Sequence, residues 1–311
     1  MSGCAFLFPG QGAQYVGMGR DLVERFPECQ QMLRRAEAHL NPALGDIMFF
    51  GPEERLQEDF IAQVAVYTVS CMVADLLEAR GISAGAFAPY SSGIYAAAYA
   101  AGVVDFETGL TLMQEAARCI RKEKAQAAMG VVLGLSASEV EELCGRVAGV
   151  VEVSIINTRH QIIVSGERPA VSALLKQTVE AGALKADWLP AAAAYHCSLL
   201  RGADQCLAKT FTQTPMKEPH TPIISYIDSQ AMESASQVKA LLSTQLESSV
   251  RWVGVVEELV RRELGPMVEV GPSQILGRSV RWIHRQAQVL PTEDSTAIRH
   301  TLKELGGSSE Y

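Results

Sequence analysis

Short apolar runs closed by glycine or proline alternate with longer amphipathic stretches along this chain, the pattern of strands and helices in an α/β protein. Residues 4–8 form the first such run. It ends at Pro9-Gly10-Gln11-Gly12 and reads as a buried strand. Helical spacing follows over 18–25 and 30–39, and a longer, strongly apolar helix covers 61–80. A second strand at 84–89 runs straight into Tyr90-Ser91-Ser92-Gly93 and an alanine-rich helix at 94–101. Asp105 caps a helix bearing Leu110, Leu112 and Met113, which frays into Arg121-Lys122-Glu123-Lys124.

The rhythm changes near residue 127. A strand at 129–135 precedes the capping box Ser136-x-x-Glu139, which opens a helix through Val147. Strands at 153–157 and 161–165 flank a short turn, then come a helix at 167–181 and a strand at 184–189. This β-α-β-β-α-β order is the ferredoxin-like split motif. It predicts a subdomain at 127–193 inserted into a larger core made of 1–126 and 194–311. Strands resume at 222–226, 266–270 and 288–291, with helices at 236–245, 250–264 and 273–283.

Composition narrows the function. The 311 residues are 48% hydrophobic and 20% charged with net charge −8, a globular balance. An acidic chain without basic runs is a poor phosphate ligand, so no nucleic acid partner is expected. No membrane partner is expected either, since no apolar run is read as approaching the ~18 residues of a span. The N-terminal residues lack the basic and apolar regions of a signal peptide. The seven cysteines form no CxxC and are read as buried small hydrophobes in a reducing compartment, with no disulfide framework and no metal site. A soluble, intracellular, cytoplasmic protein follows as the expectation. Gly10-x-Gly12 lacks its third glycine, because Tyr15 holds that position, so the dinucleotide fingerprint fails.

Strand, sharp turn with serine, glycine and helix is the geometry that exposes a serine hydroxyl above a parallel sheet. Ser91 suits the role, with Gly93 two residues on where helix and strand approach; Ser92 has the bulky Tyr90 and Ile94 at its flanks. By itself x-Tyr-Ser-Ser-Gly also fits an ordinary helix cap. Its company is more specific. Phe8-Pro9-Gly10-Gln11-Gly12-Ala13-Gln14, Ile61-Ala62-Gln63, Ser91-x-Gly93, Ala101-Gly102-Val103, Asn157-x-x-x-Gln161, Val164-Ser165-Gly166, Tyr195-His196-Cys197-Ser198, Gln245-Leu246, Val250-Arg251-Trp252 and Glu269-Val270-Gly271-Pro272 occur in that order. The series resembles the malonyl-CoA:acyl-carrier-protein transacylases and polyketide-synthase acyltransferase domains over essentially the whole chain. That resemblance implies an α/β-hydrolase-like core with a parallel sheet and a ferredoxin-like insert, in agreement with the pattern above.

It also implies an acyltransferase that moves an acyl group from CoA to an acyl carrier protein thiol through an acyl-serine. Acyl-CoA and the phosphopantetheine carrier are then substrates, and no cofactor is needed. Of six histidines, His196 falls on the catalytic position and follows the last strand of the insert, where the chain returns to the core. His196 would be the base for Ser91. Gln11 and Ser92 would be oxyanion donors through backbone N–H, each worth ~3 kcal/mol in the transition state. Gln245, or a nearby backbone carbonyl, would orient the imidazole. Tyr90, Ala116, Asn157 and Tyr195 would line the acyl pocket.

Departures from the family pattern bear on the substrate. Malonyl-using relatives carry an arginine 25 residues beyond the serine, where this chain has Ala116. Arg118, two positions on, is turned about 200° around the helix. Pro89 replaces the elbow glycine, Tyr90 a histidine and Ile94 a glutamate. A carboxylate without a cationic partner is costly in a partly dry pocket, so a non-malonyl acyl group is expected. The alternatives are an acyl-thioester hydrolase on the same scaffold, a malonyltransferase with another carboxylate anchor, or a carrier-binding module without catalysis. Arg118, Arg121, Lys122 and Lys124, or Arg251, Arg261 and Arg262, are candidates for steering an acidic carrier. Trp252 and Trp282 are expected in the core.

Overall fold

The computed structural model describes residues 3–40, 43–121 and 127–307. The chain begins with β1 (Cys4–Phe8), α1 (Arg20–Arg25), α2 (Pro27–Leu40), α3 (Leu44–Phe50), α4 (Glu53–Leu56), α5 (Asp59–Ala79), β2 (Ala84–Pro89), α6 (Ile94–Ala100) and α7 (Phe106–Ile120). A second group follows: β3 (Ala127–Leu133), α8 (Ala137–Cys144), β4 (Val151–Thr158), β5 (Gln161–Glu167), α9 (Arg168–Glu180) and β6 (Lys185–Leu189). The chain then returns through α10 (Arg201–Gln213), β7 (Ile223–Ile224), β8 (Ala231–Met232), α11 (Ala235–Thr244), α12 (Trp252–Arg261), β9 (Met267–Glu269), α13 (Ile275–Ile283), β10 (Val289–Leu290) and α14 (Ser295–Leu305).

Two sheets organise these elements. The larger has the order β10-β9-β1-β2-β7-β8, parallel except for β8, which pairs antiparallel with β7. The expected parallel sheet therefore carries an antiparallel edge strand, too short at two residues to leave a periodic signal. All five residues of β1 are buried, as a strand covered on both faces must be. The smaller sheet, β4-β5-β3-β6, is antiparallel and has its own core under α8 and α9, around Val132, Val140, Ile162 and Leu174. Ser136 and Glu139 form the expected capping box. The two cores meet at Val250, whose backbone joins β4: Ile156 N–H donates to Val250 O (2.8 Å), and Val250 N–H to Ser154 O (2.9 Å).

Three expectations are corrected. Helix α5, at 21 residues, is long and apolar enough to cross a bilayer, but most of it is enclosed by the core. Cys119 and Cys206 are joined by a disulfide between α7 and α10, while the other five cysteines are free. Neighbours 87 positions apart in sequence leave no local spacing to read. Trp252 is fully buried, but Trp282 is 81% exposed. The buried face of α13 is Leu276, Gly277, Ser279 and Val280, and Trp282 lies about 200° round from Val280.

Candidate active site

Strands β1 and β2 end side by side, and their tips hold the serine end of the candidate site. After β2 the chain makes a single 3-10 turn, Ser91–Gly93, before α6. Ser91 sits at φ 51°, a left-handed conformation that a side chain adopts only when its surroundings enforce it. Gly93 is obligatory here, because a Cβ would lie 2.2 Å from the Phe8 carbonyl oxygen. Pro89, at the position of the elbow glycine, is accommodated as the last residue of β2.

The base end comes from the far side of the chain. His196, also at positive φ (60°), is 5% exposed and places Nε2 2.7 Å from Ser91 Oγ. Its Nδ1 faces two carbonyl oxygens, Gln245 O at 3.0 Å and Ser248 O at 2.9 Å. Only a protonated Nδ1 satisfies two acceptors, so Nε2 carries the lone pair and accepts from the Ser91 hydroxyl. Burial lowers the His196 pKa to about 4, against the raising effect of the Ser248 and Gln245 carbonyls. The imidazole is neutral at pH 7 and able to take a proton.

Gln245 thus meets His196 through its backbone, while its side-chain amide donates to Tyr95 Oη at 2.7 Å. Of the two routes open in the sequence, the carbonyl is the one found. Ser248 joins it, a residue that pattern reading had no means to single out, since a carbonyl is common to every residue type.

Gln11 lies at the tip of β1 within a polar network. Its Nε2 donates to Asp59 Oδ1 (2.9 Å), its Oε1 accepts from Gln63 Nε2 (2.9 Å), and Tyr195 Oη donates to Asp59 Oδ2 (2.8 Å). Asp59 was missed in sequence. The signal was present, because Asp59 and Gln63 are polar residues four apart at the start of a mostly apolar helix and so share a face. The Gln11 backbone N–H donates to Ser92 Oγ at 3.1 Å, so Ser92 meets Gln11 through its side chain as well as standing next to Ser91.

These groups open on a cleft of about 920 Å³ between the two cores, lined by Gln11, Tyr90, Ser91, Ser92, Tyr195 and His196 on one wall and by Met129, Ile155, Ile163 and Leu189 on the other. Tyr90 is buried, its ring edge-on to Trp252 at 5.5 Å. Glu53, Glu54, Glu58 and Asp59 also line the cleft, and no lysine or arginine is among its described lining residues. Two expected pocket residues stand elsewhere. Ala116 is buried in α7 and does not line the cleft, and Asn157 spends its amide across its own hairpin, donating to Gln161 Oε1 at 2.9 Å. Arg118 pairs with Glu115 on the outer side of α7, and Arg261 and Arg262 both pair with Glu258. Lys122 and Lys124 lie outside the described residues.

Comparison with known proteins agrees with this geometry. Residues 5–301 match the model of the family described as "Acyl transferase domain". The chain is 28% identical to the malonyl CoA-acyl carrier protein transacylase of Bacillus subtilis (strain 168), over 98% of each chain. It is also 28% identical to the transacylase of that name from Escherichia coli (strain K12), covering 89% of this chain and 91% of the relative. Among solved structures, the malonyl CoA-acyl carrier protein transacylase from Coxiella burnetii superposes with a TM-score of 0.94 at 28% identity, covering 98% of each chain. A malonyl-transacylase in complex with a type II polyketide-synthase acyl-carrier protein does so with the same score and identity, over 97% of this chain and 100% of that one. A serine held at a strained turn, a neutral buried imidazole against it and a match across almost the whole length lead to one assignment: the chain belongs to the acyl transferase domain family.

Proposed function

We propose that this protein transfers an acyl group from acyl-CoA to the phosphopantetheine thiol of an acyl carrier protein through an acyl-Ser91 intermediate. The observation that carries this reading is the 2.7 Å contact between Ser91 Oγ and an imidazole whose other nitrogen is tied to two carbonyls. In the first half-reaction His196 Nε2 takes the Ser91 proton as Oγ attacks the thioester carbon. The C–S bond then breaks, and the CoA thiolate leaves with the proton from His196. In the second, the carrier thiol gives its proton to His196 and attacks the acyl ester, and Ser91 Oγ recovers the proton as it leaves. The backbone N–H groups of Gln11 and Ser92 are the oxyanion donors in this reading, and Ser92 Oγ, which now accepts from the Gln11 N–H, must yield it for that donor to act. The names of the relatives support this substrate pair. We read the molecule as a hydrolase-like core with a ferredoxin-like insert at 127–193, on the strength of the insert's β-α-β-β-α-β order and its strand arrangement.

The acyl group, in this reading, is not a dicarboxylate half-ester. Support comes from the cleft lining, which holds four carboxylates and, among its described residues, no cation to meet a malonyl carboxylate. Intact-mass measurement after incubation with malonyl-, acetyl- and longer acyl-CoAs tests both parts. A neutral acyl adduct that passes to a carrier protein is the expected result. Malonyl loading at a rate matching the neutral acyl groups removes the specificity claim, and release of free acid without an acceptor thiol makes the protein a hydrolase.

A further inference from the structure

Asp204, on the inner face of α10, is a carboxylate that the reaction above does not use, and it is 2% exposed. It accepts from two successive backbone N–H groups, Leu246 at 3.1 Å and Glu247 at 2.8 Å. Those amides belong to the turn whose carbonyls, Gln245 O and Ser248 O, hold His196 Nδ1. The same turn grips the histidine a third time, because His196 N–H donates to Leu246 O at 2.7 Å. One buried side chain therefore clamps the middle of a four-residue segment that contacts His196 at three points. Helix α10 is itself fixed, its Cys206 bonded to Cys119 of α7 two residues beyond the clamp.

We propose that Asp204 is a positioning residue for the His196 base: it holds the 245–248 turn so that two carbonyls face Nδ1 and Nε2 is aimed at Ser91 Oγ. The role follows from chemistry, because a backbone carbonyl has no side chain of its own to aim it, and a turn presenting two carbonyls to one N–H needs its amides tied from behind. A carboxylate offers two acceptor oxygens and no donor, which suits a pair of adjacent amides. Burial pushes the Asp204 pKa up to about 7, the Leu246 and Glu247 amides working the other way. A carboxyl kept where water would serve it better has a structural task.

This inference rests on the Ser91–His196 pair acting as nucleophile and base, but not on which acyl group or acceptor is used. Its test is accordingly the rate at which a fluorophosphonate labels Ser91 in the full-length protein. The expected result is a fall in the maximal labelling rate by about 10-fold in Asp204→Asn, which keeps one acceptor, and by about 100-fold in Asp204→Ala, with the reagent's half-saturating concentration unchanged. The downfield proton signal of His196 Nδ1–H should be sharp in the parent and broaden by solvent exchange in both variants. If Asp204→Ala does not fold, the isosteric Asn variant carries the test. Folded variants with an unaltered Nδ1–H signal and an unaltered labelling rate overturn the proposal. Failure to load a carrier protein, with labelling still dependent on Asp204, overturns the proposed function instead.

Discussion

The two halves of the proposed catalytic pair, Ser91 and His196, are held in opposite ways. Ser91 stands at the tip of a buried strand, fixed by covalent neighbours within three residues and by a glycine contact with β1. His196 stands in an irregular segment and is held by backbone groups 49–52 positions away. Local rigidity serves the nucleophile, whose attack angle must be set, and remote contacts serve the base, whose tautomer must be set. The lesson is that one site can be built partly from side-chain identity and partly from main-chain geometry that any residue type would provide.

The sharpest way to break the comparison is to remove each partner. Ser91→Ala abolishes the acyl adduct, and His196→Ala slows its formation by about 10⁴-fold; the double variant is no slower than Ser91→Ala, since the pair acts as a unit. Steady-state transfer with intact-mass readout checks all three. Next in size is the nucleophile's scaffold. Gly93→Ala drives a methyl into the Phe8 carbonyl, which is main chain and has nowhere to move, and costs about 3 kcal/mol or more by denaturant unfolding. The smallest effect sharpens the base side. Because the His196 pKa lies at about 4, the active neutral form persists well below the usual histidine range. In the Asp204→Asn variant, which removes the carboxyl whose pKa lies at about 7, acylation kcat/KM should stay level from about pH 6 to pH 8 and fall only as the pH approaches about 4. An acid limb near the ordinary histidine value in that variant contradicts the burial described for His196.

The strand-turn-serine unit, the capping box and the β-α-β-β-α-β rhythm were all legible, because each is written in consecutive residues. Gly93 announces a close approach of helix and strand even before its distance is known. What escaped notice was whatever depends on partners far along the chain. Helix α10 buries Ala203, Asp204, Leu207 and Phe211, a stripe with an acid in it and too weakly apolar to read as a core face. Helix α14 has its signals, an Asp294 cap and a left-handed Gly306, but only Ile298 and Leu302 as buried aliphatics. Asn157 is not among the cleft-lining residues, and its amide is engaged within its own hairpin. The Trp282 assignment failed because size alone does not say which face of a helix is turned inward.

The main chain of Val250 adds a rung to β4 on the small lobe immediately before α12 begins on the large one, so the lobes are laced together there. A jaw that swings open would have to tear that lacing. The separation of the two cleft walls is thus tied to a pair of main-chain hydrogen bonds, Ile156 N–H to Val250 O and Val250 N–H to Ser154 O.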